Sequence, residues 1–137
     1  MSLMPSPEQM KAMVENGPDG PIVMVNLLKF RTNAVYEPSR PEARDGISGA
    51  EAYGRYGVVA QKCVAEAGGG IVWGGPQALI FIGGAEQDWD QVFCVRYPSR
   101  QAFLKMVSAP QYLDVTYHRT AGLERTALLC CSAGTAA

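Results

Sequence analysis

A chain of 137 residues with 47% apolar content and a formal net charge of −1 has the size and composition of a one-domain globular protein, residues 1–137, able to bury a core. The near-neutral balance supplies no electrostatic reason to expect nucleic acid or an anionic membrane as partner, and no segment approaches the roughly 20 apolar residues of a bilayer span. The opening MSLMPSPEQ has neither a basic patch nor an apolar run. No secretory signal is expected there, and the expected location is the cytoplasm.

Ser6-Pro7-Glu8-Gln9 has capping-box spacing with proline at the first helical position. It opens an extra N-terminal helix carrying Met10, Met13 and Val14, closed by Asn16-Gly17-Pro18. Pro21 releases a strand from Ile22 to Phe30, with which the core (residues 21–131) begins. Arg31 to Ile47 form a long loop, RTNAVYEPSRPEARDGI, with two prolines and no clear periodicity. Loops beyond roughly 12–15 residues are usually lids or disordered segments, and both readings stand.

Ser48-Gly49-Ala50-Glu51 is a second capping box. The helix after it sets Tyr53, Tyr56, Ala60, Cys63, Val64 and Ala67 on one stripe and stops at Gly68-Gly69-Gly70. The second strand is expected from Ile71 through Trp73, interrupted at Gly74-Gly75-Pro76 and resumed from Ala78 to Ile82. A hairpin-like connection, Gly83 to Asp88, leads to a third strand, Trp89 to Tyr97. Ser99 caps a helix holding Phe103, Leu104 and Val107, and Pro110 opens another helical piece with Tyr112, Leu113 and Tyr117. A last strand runs from about Leu123 to Cys131, and residues 132–137 read as a loose tail.

Without the first helix the order is β-α-β-β-α-β, with the second helix in two pieces. That is the ferredoxin-like arrangement, an α+β fold with a four-stranded antiparallel sheet and helices on one face. A sheet with one wet face alternates apolar and polar residues. Here Ile22–Leu28, Ala78–Ile82, Val92–Val95 and Ala127–Cys131 are apolar on both faces. A second layer is required, and the chain has no spare element large enough to make it. A second copy packed face to face, about 10 Å away, does, and an obligate homodimer through the sheet face is expected.

His118, the only histidine, follows Asp114 by four positions, so a helix would pair them and favour the imidazolium. It is the acid/base candidate, against a reading as a helix-end histidine beside Arg119. Asn26 in a central strand needs hydrogen bonds, from a ligand or from its surroundings. Lys29 is a candidate for an anionic group, or a solvated strand-end lysine. Tyr53 and Tyr56 are packing residues whose hydroxyls need partners at a pocket edge. Trp73 and Trp89 are core or barrel-mouth residues, or stacking surfaces for a planar ligand. Asp90 and Arg96 share a strand face, too far apart to pair, and are expected to answer charges on neighbouring elements. The four cysteines, Cys63, Cys94, Cys130 and Cys131, lack C-x-x-C or zinc-finger spacing and read as buried thiols, without disulfide or zinc. No dinucleotide fingerprint, phosphate loop, nucleophile elbow or metal cluster is present in the sequence, so no cofactor or metal is expected.

The stretches VNLLKF, SGAEAYGRYG, GGGIVWGGP and WDQVFCVRYPSRQAFLKMVSAPQYL, followed by HRTAGLERTALL, resemble the domain-of-unknown-function 1330 family of the dimeric α/β-barrel superfamily. The resemblance spans roughly Val23 to Leu129. It implies a ferredoxin-like protomer and a dimer whose two sheets form a barrel. Superfamily members include cofactor-independent monooxygenases, lactone isomerases and haem-binding or haem-degrading proteins, an analogy at the level of fold.

Three functional expectations follow. The first is a protein that binds or transforms a small apolar organic molecule in a pocket between sheet and helices. Asn26 and His118 would be its catalytic pair, with Tyr53, Tyr56, Trp73, Lys29, Trp89 and Arg119 contacting the ligand. The second is a non-catalytic dimeric module whose aromatics are only core. Haem binding is the minor third.

Overall fold

The structure, a computed structural model, describes residues 2–134. The helices α1 (Pro7–Asn16), α2 (Gly49–Glu66), α3 (Arg100–Val107), α4 (Pro110–Leu113) and α5 (Thr116–Gly122) are interspersed with the strands β1 (Ile22–Phe30), β2 (Gly70–Pro76), β3 (Gln91–Tyr97) and β4 (Leu123–Ser132). The sheet order is β2-β3-β1-β4, every neighbouring pair antiparallel, which is the ferredoxin-like topology. Both capping boxes form: the Ser6 and Ser48 hydroxyls accept from the amides of Gln9 and Glu51, whose side chains reach back to the serine amides. Ser99 likewise caps α3 by accepting from the Ala102 amide.

Register divides the sheet residues between two faces. Met24, Asn26 and Leu28 stand opposite Val95, Phe93 and Gln91 on β3 and opposite Cys130, Leu128 and Thr126 on β4. This face meets the helices, and Ile22, Met24, Val95 and Tyr97 pack with Cys63 of α2 and Met106 of α3. The other face carries Val23, Val25 and Leu27 with Cys94, Val92, Leu129 and Ala127. Its charged residues stand at the ends, Arg96 at one and Lys29 with Arg125 at the other. No helix among the described residues lies on it. The extra helix α1 goes to the helical side, where Arg100 of α3 donates to the carbonyls of Gly17 and Pro18 at 2.8 and 2.7 Å.

Three expectations need correction. The strand expected to break at Gly74-Gly75-Pro76 runs through them, its irregularity falls earlier, between Ile71 and Trp73, and it ends at Pro76. Proline is tolerated because β2 is an edge strand, with no neighbour on its outer side among the described residues. Ala78–Ile82 is therefore not a strand, and Phe81 and Ile82 stand 91% and 87% exposed. The strand expected from Trp89 begins at Gln91, because Trp89 and Asp90 are turned into side-chain contacts that end the connection.

The loop 31–47 is folded. It forms a bridge between Asn33 and Ser48, contains the 3-10 turn Pro41–Arg44 and buries Tyr36 against Ala52 and Ala121. Of the tail, Ser132 belongs to β4 and the Ala133 amide donates to Pro21 at 3.1 Å, while residues 135–137 lie outside the described residues.

Candidate functional site

Between the helix-facing side of the sheet and α2, α4 and α5 an open cleft of about 1770 Å³ runs from α1 across Asn26 and Tyr53 to Arg119. That exceeds the ≈ 300–1,000 Å³ of a site for one small ligand, and the end built by Asn26, Phe30, Tyr53, Tyr56, Tyr112 and Arg119 carries the chemistry. The capping box at Ser48 fixes where α2 starts, so Tyr53 and Tyr56, three residues apart, share its inner face. Their rings stand 5.1 Å apart, Tyr53 lies 5.5 Å from Phe30 of β1, and Tyr56 lies 5.7 Å from Tyr112 of α4. The result is a continuous aromatic wall.

The polar groups on this wall differ in how they are satisfied. The Tyr56 and Tyr112 hydroxyls bond each other at 2.7 Å. The Tyr53 hydroxyl has no hydrogen-bond partner among the described residues. Burial pushes both the Tyr53 and Tyr56 phenols well above their ordinary value, so each stays protonated near neutrality. Asn26 donates from Nδ2 to the Met24 carbonyl at 3.2 Å, which leaves its Oδ1 without a donor among the described residues. Asn26 is half-buried and lines the open cleft, so the desolvation cost of a sealed, unpaired amide does not apply.

Arg119 of α5 enters from the rim. Its Nη1 donates to the Leu3 carbonyl at 2.7 Å and so lays the segment 2–5 along the cleft, where Leu3, Met4 and Pro5 become lining residues. No carboxylate pairs with Arg119 among the described residues. A cationic group unanswered by an acid, beside an aromatic wall, favours an anionic or strongly polar oxygen there.

The residues singled out from the sequence are thus divided. Asn26, Tyr53, Tyr56 and Arg119 line one cleft. Lys29 is on the opposite sheet face, bound to Asp88 at 3.0 Å and Asp90 at 3.4 Å, and these hydrogen bonds raise its pKa. Asp90 answers a neighbouring element, as expected from its position, and also accepts from the Phe30 amide at 2.8 Å. Trp89 is buried, its indole N–H donates to Gln87 at 3.3 Å and the Arg125 guanidinium covers its ring at 4.1 Å. Trp73 points from the open face and is 57% exposed.

His118 sits outside the cleft. Asp114 and Val115 separate α4 from α5, so the helical pairing with Asp114 does not form. Instead Nδ1 meets the Tyr36 hydroxyl at 2.7 Å. Desolvation in this packing lowers the imidazole pKa, opposed by the nearby Glu42 carboxylate. The expected imidazolium is thus disfavoured. Around it Tyr117 donates to Glu42 at 2.5 Å and Arg40 stacks on the Tyr117 ring at 3.6 Å. Tyr36, Tyr112 and Tyr117 were not singled out as site residues, because only the loop and the α4–α5 break bring them to these positions.

No curated protein matches the chain. A crystal structure of a protein of unknown function from Rhodopseudomonas palustris is similar to it over 95% of both chains, with 35% identity and a TM-score of 0.84. The structure of that protein in methylated form gives 34% identity over 96% of this chain and 93% of the other, with a TM-score of 0.86. The profile of the family described as a domain of unknown function, DUF1330, matches residues 43–132. The chain belongs to the DUF1330 family.

Proposed function

We propose that the cleft binds a small, largely apolar organic molecule carrying an acidic or phenolic oxygen. The supporting observation is the unmatched pair of polar atoms on an aromatic wall, the Tyr53 hydroxyl as donor and Asn26 Oδ1 as acceptor, with Arg119 at the rim. An aromatic ring of the ligand stacks along Phe30, Tyr53 and Tyr56, while its oxygen accepts a hydrogen bond from the Tyr53 hydroxyl or faces the guanidinium. Catalysis is not part of this proposal, because the acid/base role foreseen for His118 with Asn26 needs both at one substrate and His118 is held by Tyr36 elsewhere. Haem ligation in the cleft has no histidine to use, since the sole histidine lies outside it.

Calorimetric titration with an aromatic hydroxy acid, a hydroxynaphthoquinone and a small lactone tests the reading. The hydroxy acid or the quinone binds wild type, Tyr53→Phe weakens binding about fivefold, the worth of one hydrogen bond near 1 kcal/mol, and Arg119→Leu removes the preference over the lactone. Equal affinities in wild type and both variants contradict it. A second reading, a non-catalytic module whose aromatics serve only as core, draws on the mutual bond of Tyr56 and Tyr112, which needs no ligand.

We also infer that the protein is a homodimer through the open sheet face. Its apolar middle, from Val25 and Leu27 to the half-exposed Leu129, has no layer over it from the described residues of the chain itself, and the N-terminal segment lies on the helical side. A copy related by two-fold symmetry supplies a matching sheet.

A further inference from the structure

The cleft is larger than one ring and one oxygen need, and its chemistry is one-sided. Among the described residues that line its about 1770 Å³, Arg119 is the only charged one. Sugars, nucleotides and peptides carry polar groups along their whole length, and such a wall has few groups to answer them. The part away from Tyr53 runs beneath α1. Arg119 donates to the Leu3 carbonyl ahead of that helix, and Arg100 donates to the Gly17 and Pro18 carbonyls behind it, so α1 is pinned at both ends. Its ten residues span about 15 Å. Met10 and Met13 line the cleft, as do Leu104 and Val107 of α3 and Leu113 of α4. Yet no residue of α1 is buried, Met13 alone packs against the core, and Met10 stays 39% exposed. A short amphipathic helix is held by burial of its apolar face. This one spans a trough that it does not fill.

We propose that the cleft takes a long-chain amphiphile with one negative charge, its carboxylate head at Tyr53 and Arg119 and its alkyl tail along the underside of α1. The inference rests on the binding site proposed above and says what the rest of its ligand is. One guanidinium in an otherwise uncharged cleft matches a single anionic group, and the apolar trough matches a tail without further polar atoms. Methionine side chains are flexible and fill irregular gaps, so Met10 and Met13 close on a tail of variable shape. The tail in turn gives α1 the apolar contact that its own chain withholds.

The test titrates the full chain with para-hydroxybenzoate and with para-alkoxybenzoates from butoxy to dodecyloxy, each below its micelle concentration. Affinity rises by up to about fourfold for each added methylene and levels off once the tail outruns α1. Binding of para-hydroxybenzoate with no gain from longer tails overturns the amphiphile and leaves the aromatic site standing; no binding by any compound overturns both. Tail-dependent binding that Arg119→Leu leaves unchanged overturns the charged head. Met10→Glu sets a carboxylate beneath α1 at a position outside the core. It weakens the dodecyloxy compound by about tenfold or more, the worth of two methylenes, and leaves para-hydroxybenzoate unchanged, while Met10→Leu binds both as wild type does. Equal affinities for the long compound in wild type and Met10→Glu contradict the placement of the tail. A diazirine at the end of the dodecyloxy chain gives the position directly. Photolabelling falls on α1 or α3; labelling confined to the open sheet face, at Val25, Leu27 or Leu129, overturns the proposal.

Discussion

Tyr53 and Tyr56 occupy neighbouring positions on the same helix face, yet the structure gives their hydroxyls opposite duties. Tyr56 completes a bond to Tyr112, whereas Tyr53 offers its proton to the cleft. Removal of the two oxygens should therefore differ in cost. Tyr56→Phe strands the Tyr112 hydroxyl and loses about 1 kcal/mol, while Tyr53→Phe leaves unfolding free energy unchanged or slightly raised, its effect confined to the binding proposed for the cleft. Urea denaturation of the two variants checks this, and equal losses would contradict the assignment. His118 makes a second prediction. Its pKa is depressed in the folded state, so the unfolded chain takes up the proton first. The stability from this residue is complete above the ordinary histidine value of 6.5 and is lost as pH falls from there through the lower folded value. Thermal midpoints measured between pH 8 and 5 should fall less steeply in His118→Gln than in wild type. At this scale the sequence exposed Asn26, Tyr53 and Tyr56, because a polar atom on an apolar stripe is visible without coordinates. It did not expose the Tyr36–His118 bond, whose partners are 82 positions apart.

At the scale of elements, the ends of helices were the most readable feature, since a cap is a local contract between residues three apart. The strands were readable where both flanks were pinned by a turn. The second strand was misjudged because composition cannot tell an edge strand, which accepts Pro76, from a central one, which does not. The run from Ala78 to Ile82 has strand composition and lacks a strand neighbour among the described residues of its own chain. The loop 31–47 read equally as a lid or a disordered segment because its order comes from distant contacts, Tyr36 on Ala52 and Ala121 above all. Those contacts depend in turn on how α2 meets α5. Gly49 and Gly122 face each other there, and a Cβ on Gly49 would lie 2.6 Å from the Gly122 carbonyl oxygen and also strike that of Arg31. Backbone against backbone leaves nothing that can yield. Gly122→Ala should cost about 1–3 kcal/mol through forced separation of the two helices, seen as a lower denaturation midpoint. An unchanged midpoint would show that the crossing tolerates expansion.

At the scale of the whole molecule, the sheet has one face that meets its own helices and one that no helix among the described residues covers. The first provides the cleft; the second, if the homodimer inferred above forms, provides the partner. This division was legible in the sequence, because β1 is apolar at Val23, Val25 and Leu27 as well as at Ile22, Met24 and Leu28, and water on one side would have selected otherwise. Register then assigned the two sets their neighbours, and the charged residues of the open face proved to stand at its ends, leaving an apolar centre. Among the described residues no helix is long and apolar enough to cross a membrane, so lipid contact by a spanning helix is not the use of this surface. A stable interface of this kind buries on the order of 1,600 Å² in total, enough for association at low micromolar concentration when its centre is apolar. Sedimentation velocity on the full chain at that concentration measures the claim directly. A dimer through the open face predicts a single species at twice the mass of the 14.7 kDa chain; a single species at the chain's own mass would contradict it.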